Sequence, residues 1–368
     1  MASVPGYTYD PISDQIGNGS FGIVYMGTDD EDKTGKKKVA MKRIDLPESL
    51  PNYERHRTKA EREIEIMTKI KGHENILDVI KTHVIKGKTA IGETVTYIWI
   101  IMAFCSWNLS LYARQYYLKL PNIIDILKQV ATGLAYMHNH DPPILHLDIK
   151  PSNTLISVEG GRHVVKLADF GLSREFSTSD KSVETMTAVG TDPYLPPECY
   201  RLGIRLIIQP KVRQLKFGAQ DCYAFGILAF KLITSEPGKS LSDKFVTSDP
   251  SIGYRMLENH VNDSGVWDPI VSDAKDSELI RELKKIIRSV VKFDPNERTP
   301  MSTILEMLDN VITKFSLTFN LPLPMSLMST ALPNIHHILK HDLPFVAHWT
   351  ICFTSDGVIV EHSDKLMK

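Results

Sequence analysis

The chain has 368 residues, with 43 Lys and Arg against 44 Asp and Glu. This length predicts a large buried core, divided between two lobes with an appendage. The net charge of −1 provides no overall basic field, so we expect no nucleic-acid partner. The cysteines contain no C-x-x-C pair, which indicates reduced thiols instead of a disulfide framework or a zinc site; they are Cys105, Cys199, Cys222 and Cys352.

No membrane segment is expected from the hydropathy of the chain. The first six residues lack the apolar stretch of a signal peptide, and the longest apolar run, 97–105, is too short to cross a bilayer. We therefore expect a cytoplasmic location, with the nucleus as the alternative, and no membrane partner.

Strands separated by glycine turns are predicted over residues 9–42. The stretch 16–24 reads Ile-Gly-Asn-Gly-Ser-Phe-Gly-Ile-Val, and β-branched and aromatic residues follow Gly22. A strand after the glycines is typical of a turn whose backbone N–H groups close over phosphates, whereas a dinucleotide-binding turn leads into a helix. Ordinary hairpin glycines are the alternative. The next predicted strand, 39–42, ends at Lys42.

A helix is predicted over 53–71, and Glu63 lies on its apolar stripe. Ile66, Met67 and Ile70 follow Glu63 at spacings of three, four and seven residues, which places them on one helix face. A carboxylate on a buried face requires a cation, and we expect Lys42 to supply it. The alternative is a surface pair with Arg62 or Lys59.

The following elements change from strands to helices. Strands are predicted over 76–85 and 97–104, then a connector over 105–108, then a helix over 123–139 with Asn122 as its N-cap. This order predicts an α+β fold, with a small lobe joined by a hinge to a larger α-helical lobe.

The octet 146–153, His-Leu-Asp-Ile-Lys-Pro-Ser-Asn, contains groups suited to phosphoryl transfer. Asp148 can accept the proton of an attacking hydroxyl, Lys150 can neutralise charge on the transferred group, and Asn153 can hold a magnesium ion. By itself the octet could be a polar loop. Asp169-Phe170-Gly171 follows 16 residues after Asn153, and a carboxylate there can hold the metal that bridges the phosphates.

A larger set of motifs occurs in one order along the chain. It consists of Gly17, Gly19, Gly22 and Val24; Lys42; Glu63; His146, Asp148, Lys150 and Asn153; Asp169, Phe170 and Gly171; Pro197 and Glu198; Asp221 and Gly226; and Arg298. Over residues 9–315 the chain resembles the eukaryotic protein kinases. The resemblance implies a bilobal protein-kinase-like fold: a small antiparallel N-lobe with one helix over 1–104, a mainly α-helical C-lobe over 105–318 and an extension of unknown role over 319–368.

The resemblance also implies the roles of individual residues. Asp148 would be the catalytic base and Lys150 the charge neutraliser, while Lys42, held by Glu63, would anchor the phosphates of ATP. Asn153 and Asp169 would bind Mg²⁺. The residues implied around the nucleotide are Ile16, Gly17, Gly19, Ser20, Gly22, Val24, Ala40, Lys42, Met102 as gatekeeper, Ala103, Cys105 and Leu155. Those implied in the apolar spine between the lobes are Met67, Val79, His146 and Phe170.

The implied activity is transfer of the ATP γ-phosphate to Ser or Thr of protein substrates. Lys150 and Thr191 match Ser/Thr kinases, Glu198 would pair with Arg298, and Asp221 would open a buried helix over 221–233. A nucleotide-binding scaffold with negligible turnover is the main alternative, and a small-molecule kinase is a third. Intact catalytic residues oppose the former, and Thr191 with the segment at Glu198 opposes the latter.

Three features depart from the family pattern. Leu147 replaces the arginine that precedes the catalytic aspartate, so we expect weaker dependence on activation-loop phosphorylation; the alternative is that Lys166 supplies the cation. The basic segment 201–216, which contains no acid, is either a partner-docking surface or a solvated loop. In the extension, residues 349–353 and 358–360 predict a hairpin that should pack on a lobe or on a partner, with a role that is either regulatory or structural. Near the end of the kinase region, Thr299 is predicted to cap the last helix.

Overall fold

An antiparallel sheet of seven strands forms the first lobe. The computed structural model describes residues 2–176 apart from positions 20, 21, 36, 90, 117 and 160, and then 190–191, 194–199, 216–234, 274–319, 322, 349–354 and 357–362. The strands are β1 (Ala2–Val4), β2 (Tyr7–Tyr9), β3 (Gln15–Gly19), β4 (Gly22–Asp29), β5 (Lys38–Pro47), β6 (Val79–Lys88) and β7 (Thr94–Ala103). Their order is β1-β2-β4-β5-β7-β6, and β3 also pairs with β4.

Both faces of this sheet are covered, because β5 and β7 carry apolar residues on both sides. Helix α1 (Tyr53–Lys69) buries Ile66 and Met67 in the same apolar cluster as Ile100 on β7. On the opposite face, the N-terminal hairpin β1–β2 brings tyrosines into a second cluster with Trp99. The burial of β5 from both sides leaves Lys42 only 6% exposed.

The second lobe is built mainly from helices. They are α2 (Leu109–Gln115), α3 (Leu120–His138), α4 (Ala219–Thr234), α5 (Ala274–Val290) and α6 (Met301–Phe315). Helix α4 is buried along almost its whole length, because apolar residues occupy nearly every side of it. The observed architecture is therefore the predicted α+β bilobal protein-kinase-like fold.

Short strands of the second lobe position the loops next to the first. A three-stranded sheet has the order β11-β10-β8, formed by β8 (Trp107–Asn108), β10 (Thr154–Glu159) and β11 (Arg162–Leu167). Strand β9 (Ile144–Leu145) pairs with β12 (Arg174–Glu175). These pairings fix both ends of the segment that contains the octet and Asp169.

Several predicted boundaries and caps are wrong. Asn122 is the third residue of α3 instead of its N-cap, and its side chain accepts a hydrogen bond from the N–H of Lys119 at 3.2 Å. Pro300, not Thr299, is the N-cap of α6, and no side chain caps that helix. Ile76 precedes β6 and forms an isolated parallel bridge with Leu167, because this segment connects to the second lobe.

Residues 323–368 form a second unit. Its described part is the predicted hairpin, in which β13 (Trp349–Thr354) pairs antiparallel with β14 (Gly357–His362). The turn residues Ser355 and Asp356 lie outside the described residues. No helix in the described part of the chain is long and apolar enough to cross a membrane.

Candidate active site

Lys42, Glu63 and Asp169 form a buried network of charges between β5, α1 and the second lobe. The Nζ atom of Lys42 lies 2.6 Å from Glu63 Oε1 and 3.2 Å from Asp169 Oδ1. Burial by itself would lower the pKa of Lys42, but the two carboxylates outweigh it and raise the pKa, so the ammonium stays charged. The predicted pairing of Glu63 with Lys42 is confirmed, and the alternative surface pair of Glu63 is wrong.

The carboxylate of Asp148 receives hydrogen bonds from three side chains. Lys150 Nζ and Asn153 Nδ2 donate to Oδ2 at 2.7 and 2.8 Å, and the hydroxyl of Thr191 donates to Oδ1 at 2.7 Å. Lys150 also contacts the Thr191 hydroxyl at 2.7 Å. Asp148 is 4% exposed, so these contacts leave its carboxylate with one restricted orientation.

Asp221 anchors the backbone of the octet from below. It accepts hydrogen bonds from the amides of His146 and Leu147, both at 2.8 Å, and its Oδ2 lies 2.9 Å from His138 Nε2. Burial opposes ionisation of Asp221, but the bonds from His138 and from the His146 backbone outweigh it and lower the pKa. Leu147 thereby holds a left-handed conformation with φ of 65°.

The anchoring role of Asp221 and His138 was missed in the sequence analysis. A signal was present, because an acid in the first turn of a helix that is otherwise apolar on nearly every side cannot be solvated and must have partners. Those partners come from elements 75 and 83 residues away in sequence, so spacing alone does not identify them.

His146 links the octet to the segment at Asp169. Its Nε2–H donates to the carbonyl of Ala168 at 3.1 Å, and Nδ1 accepts the amide N–H of Asp148 at 3.3 Å. Burial lowers the pKa of His146, so the ring is neutral, as this bonding pattern requires. The ring centroids of His146 and Phe170 lie 5.1 Å apart. Phe170 belongs to the apolar cluster that also contains Met67, and Val79 packs against this cluster.

The glycine turn is a hairpin of the first lobe, and the predicted hinge side chains share one apolar cluster. Gly17 pairs with Val24 and Gly19 with Gly22 in the β3–β4 hairpin. Gly22 has φ of 128°, and a Cβ there would collide with the carbonyl of Arg43. Six of the predicted side chains belong to or border one apolar cluster: Val24, Ala40, Met102, Ala103, Cys105 and Leu155. Ile16 is half exposed, and Ser20 lies outside the described residues.

Glu198 is held by Arg298 as predicted. The Nη1 and Nη2 atoms of Arg298 contact the two carboxylate oxygens at 2.6 and 2.7 Å. The guanidinium also lies 4.9 Å from the ring of Tyr223 on α4. This bidentate pair therefore joins the segment 194–199 to the helices of the second lobe.

Lys166 and Ser173, which border the activation loop, have partners in the described part of the chain. Lys166 donates from Nζ to the carbonyl of Glu74 at 3.0 Å, and its role as a substitute cation for the arginine missing at Leu147 stays a prediction. Ser173 is the first hydroxyl after Gly171 that phosphorylation could target, but it is 2% exposed and its hydroxyl donates to the carbonyl of His146. The other candidate sites of the activation loop and positions 201–215 lie outside the described residues.

The sequence was compared with known proteins. The profile described as the protein kinase domain matches residues 11–308. A probable LRR receptor-like serine/threonine-protein kinase of Arabidopsis thaliana is 28% identical over 298 residues, covering 81% of this chain and 31% of that protein. Cysteine-rich receptor-like protein kinase 21 of the same plant is 26% identical over 321 residues, covering 85% of this chain and 41% of that protein.

The chain thus spans between about a third and two fifths of the length of these relatives. The profile match covers most of the chain and includes both lobes, the glycine turn, the octet and the Arg298 pair. On this match and this fold, the chain belongs to the protein kinase domain family.

Proposed function

We propose that the chain transfers the γ-phosphate of ATP to serine and threonine hydroxyls of protein substrates. The observation that carries this proposal is the orientation of the Asp148 carboxylate by Lys150, Asn153 and Thr191. A carboxylate in this position can orient the acceptor hydroxyl and receive its proton, while Lys150 neutralises charge on the transferred group.

The donor atoms in the cleft fit magnesium. Asp169 offers a partly exposed carboxylate, and Asn153 uses its Nδ2 for Asp148, which leaves its Oδ1 for a cation. No group of three or more His, Cys, Asp or Glu that could hold a metal occurs in the described part of the chain. Two oxygen ligands match an ion whose other ligands are phosphate oxygens and water. When bound, Mg²⁺ would neutralise negative charge on the phosphates.

The remaining roles follow from position. Lys42, held by Glu63, would bind phosphate oxygens, and the glycines at 17, 19 and 22 would bring backbone N–H groups against them. The apolar side chains around Ala40 and Leu155 would enclose adenine, whose edge would bond the carbonyl of Ala103 and the amide of Cys105. Ser20 and Ile16 would complete this cradle.

Radiolabelled phosphate transfer tests the proposal. The wild-type chain, with Mg-ATP and generic protein acceptors, should label serine and threonine; Asp148→Asn and Asp169→Asn should lower the rate on the order of 1,000-fold. Asp309→Asn, which changes an exposed carboxylate on α6, is the matched control and should be unchanged. Calorimetry should show that Asp148→Asn still binds Mg-ATP.

Other outcomes identify the alternatives. A scaffold would bind Mg-ATP, yet the wild type would transfer no more label than Asp148→Asn. A small-molecule kinase would label no protein, itself included. Label on tyrosine, and not on serine or threonine, would contradict the proposed Ser/Thr specificity.

We further propose that activity depends weakly on activation-loop phosphorylation. Leu147 lacks the charge to bind a phosphate, and Thr191 already contacts Asp148. A multiple variant should retain most of the transfer rate when alanine replaces six hydroxyl residues of the activation loop: Ser177, Thr178, Ser179, Ser182, Thr185 and Thr187. Loss of nearly all activity in that variant would contradict this.

A further inference from the structure

Strand β6 is an edge strand of the first-lobe sheet in the described part of the chain. It pairs with β7 on one side, and the described residues contain no strand on the other. With ten residues, it equals β5 and β7 in length. Every second residue of such an edge directs its N–H and C=O outward, where another extended chain can pair with them.

The side chains of this edge combine positive charge with exposed apolar area. Val79–Lys88 reads Val-Ile-Lys-Thr-His-Val-Ile-Lys-Gly-Lys and contains no acid, and neither does β7. Ile80 and Val84 are 43% and 67% exposed. Lys81, Lys86 and Lys88 are exposed, and no ion pair joins them to an acid among the described residues.

The register assigns these side chains to faces of the sheet. Val84 and Lys86 lie opposite Ile98 and Thr96, and the side chains of Val84, Lys86 and Lys88 share one face because strand residues alternate. A β-branched residue opposite Val84 and acids opposite the two lysines would complement this face. Two copies of β6 would instead bring together two lysine-rich strands that contain no acid, which disfavours self-pairing.

We propose that β6 is a docking edge for an extended acidic segment of a partner protein. The segment adds a strand to the sheet: main-chain hydrogen bonds supply affinity, and its carboxylates beside Lys86 and Lys88 select it over neutral or basic segments. This surface differs from the cleft, so the proposal does not depend on phosphoryl transfer.

An acetylated, amidated peptide, Glu-Thr-Glu-Thr-Val-Thr-Val, is the probe. It should bind the full chain, and binding should weaken as salt is raised because the charges are exposed. The double variant Lys86→Glu with Lys88→Glu should bind it about tenfold more weakly and should gain affinity for the peptide with lysine in place of glutamate. Lys59→Glu with Lys71→Glu, the same charge change on and after α1, is the matched control.

Backbone pairing is tested separately. The same peptide, N-methylated at either set of alternate positions, should lose binding for at least one set. Undetectable binding at about 1 mM peptide, binding by both methylated peptides as tight as that of the unmethylated peptide, or an unchanged affinity in the double variant would overturn the proposal. So would concentration-dependent dimerisation of the chain that the peptide disrupts, since the edge would then be occupied by a second copy. Thermal unfolding of each variant confirms that it is folded.

Discussion

At the scale of single residues, the site depends on charges that are removed from water and held by specific partners. Lys42 is 6% exposed and Glu63 is 4% exposed, so neither can exchange its partner for solvent. Asp148 is equally enclosed, but its partners are hydrogen-bond donors of different kinds. Each of these groups therefore has one geometry, which is the condition for positioning a phosphate or a hydroxyl.

Glu63→Gln should show how much the buried pair with Lys42 contributes to stability and to activity. The change keeps the side-chain shape but removes a charge next to a buried ammonium, so the free energy of unfolding should fall on the order of 3 kcal/mol. The kcat/KM for phosphate transfer should fall on the order of 100-fold, because Lys42 loses its orientation. Denaturant unfolding and steady-state kinetics measure both.

The matched control is Glu65→Gln on the same helix. Glu65 pairs with Lys69 in an exposed i, i+4 contact at 2.8 Å. Neither stability nor kcat/KM should change measurably there. If the two variants behaved alike, the Lys42–Glu63 pair would not be the determinant.

Cys105 should react slowly with alkylating agents at neutral pH. Burial raises the pKa of its thiol to about 11, and only the thiolate reacts. Below that pKa the thiolate fraction rises with pH, so labelling by iodoacetamide should increase about tenfold per pH unit between pH 7.5 and 9.5. Mass spectrometry of the Cys105 peptide measures the rate, with N-acetylcysteine as the reference. A plateau below pH 9.5 would contradict the raised pKa.

At the scale of elements, the octet and the segment at Thr191 are held together by close backbone packing. A Cβ on Gly190 would lie 2.7 Å from Leu195 Cδ2 and 3.1 Å from the carbonyl of Leu147. The absence of a side chain there lets Thr191 reach Asp148. This close contact between the two segments explains how Thr191 forms one site with Asp148 and Lys150, which lie more than 40 positions away in sequence.

Gly190→Ala should therefore reduce activity without unfolding the protein. The added methyl group must move the segment, and a displacement of about 1 Å at Thr191 should lower kcat/KM between about 10-fold and 100-fold. Gly92→Ala is the control, because Gly92 also has a positive φ but no atom lies within 4 Å of its Cβ position. Equal kinetics in the two variants would show that crowding at Gly190 does not matter.

At the scale of residues 1–322, a continuous core crosses from the first lobe to the helices of the second. Ala40 and Met67 belong to the same apolar cluster as Leu127 and Phe225. The segment 194–199 is joined to this core by Tyr194, which belongs to the same cluster, and by the pair of Glu198 with Arg298. Lys231 on α4 also lies 4.9 Å from the ring of Tyr194. Stability and the position of this segment should therefore be coupled.

Arg298→Lys tests that coupling. Lysine keeps the charge but cannot form the bidentate contact with Glu198, so the free energy of unfolding should fall about 2–4 kcal/mol and the Tm should drop. Arg57→Lys is the matched control, because Arg57 makes an exposed pair with Glu61 on α1. Thermal unfolding compares the two, and an unchanged Tm for Arg298→Lys would exclude a structural role of the pair.

The fold class, the pairing of Lys42 with Glu63 and the residue types of the octet could be predicted without the structure. Periodicity and motif spacing are local properties, so they can be recognised in the sequence without knowledge of the packing. Element ends were less accurate, as at Asn122 and Thr299, because tertiary contacts decide which residue caps a helix.

The support of the octet becomes visible only in the folded chain. Asp221 lies 75 residues from His146 in sequence, and Lys166 and Ser173 point to partners that no spacing indicates. The open edge at β6 likewise depends on the order of strands in the sheet. The reason is physical: a buried charge or an unpaired strand is defined by its neighbours in space, and those neighbours come from distant parts of the chain.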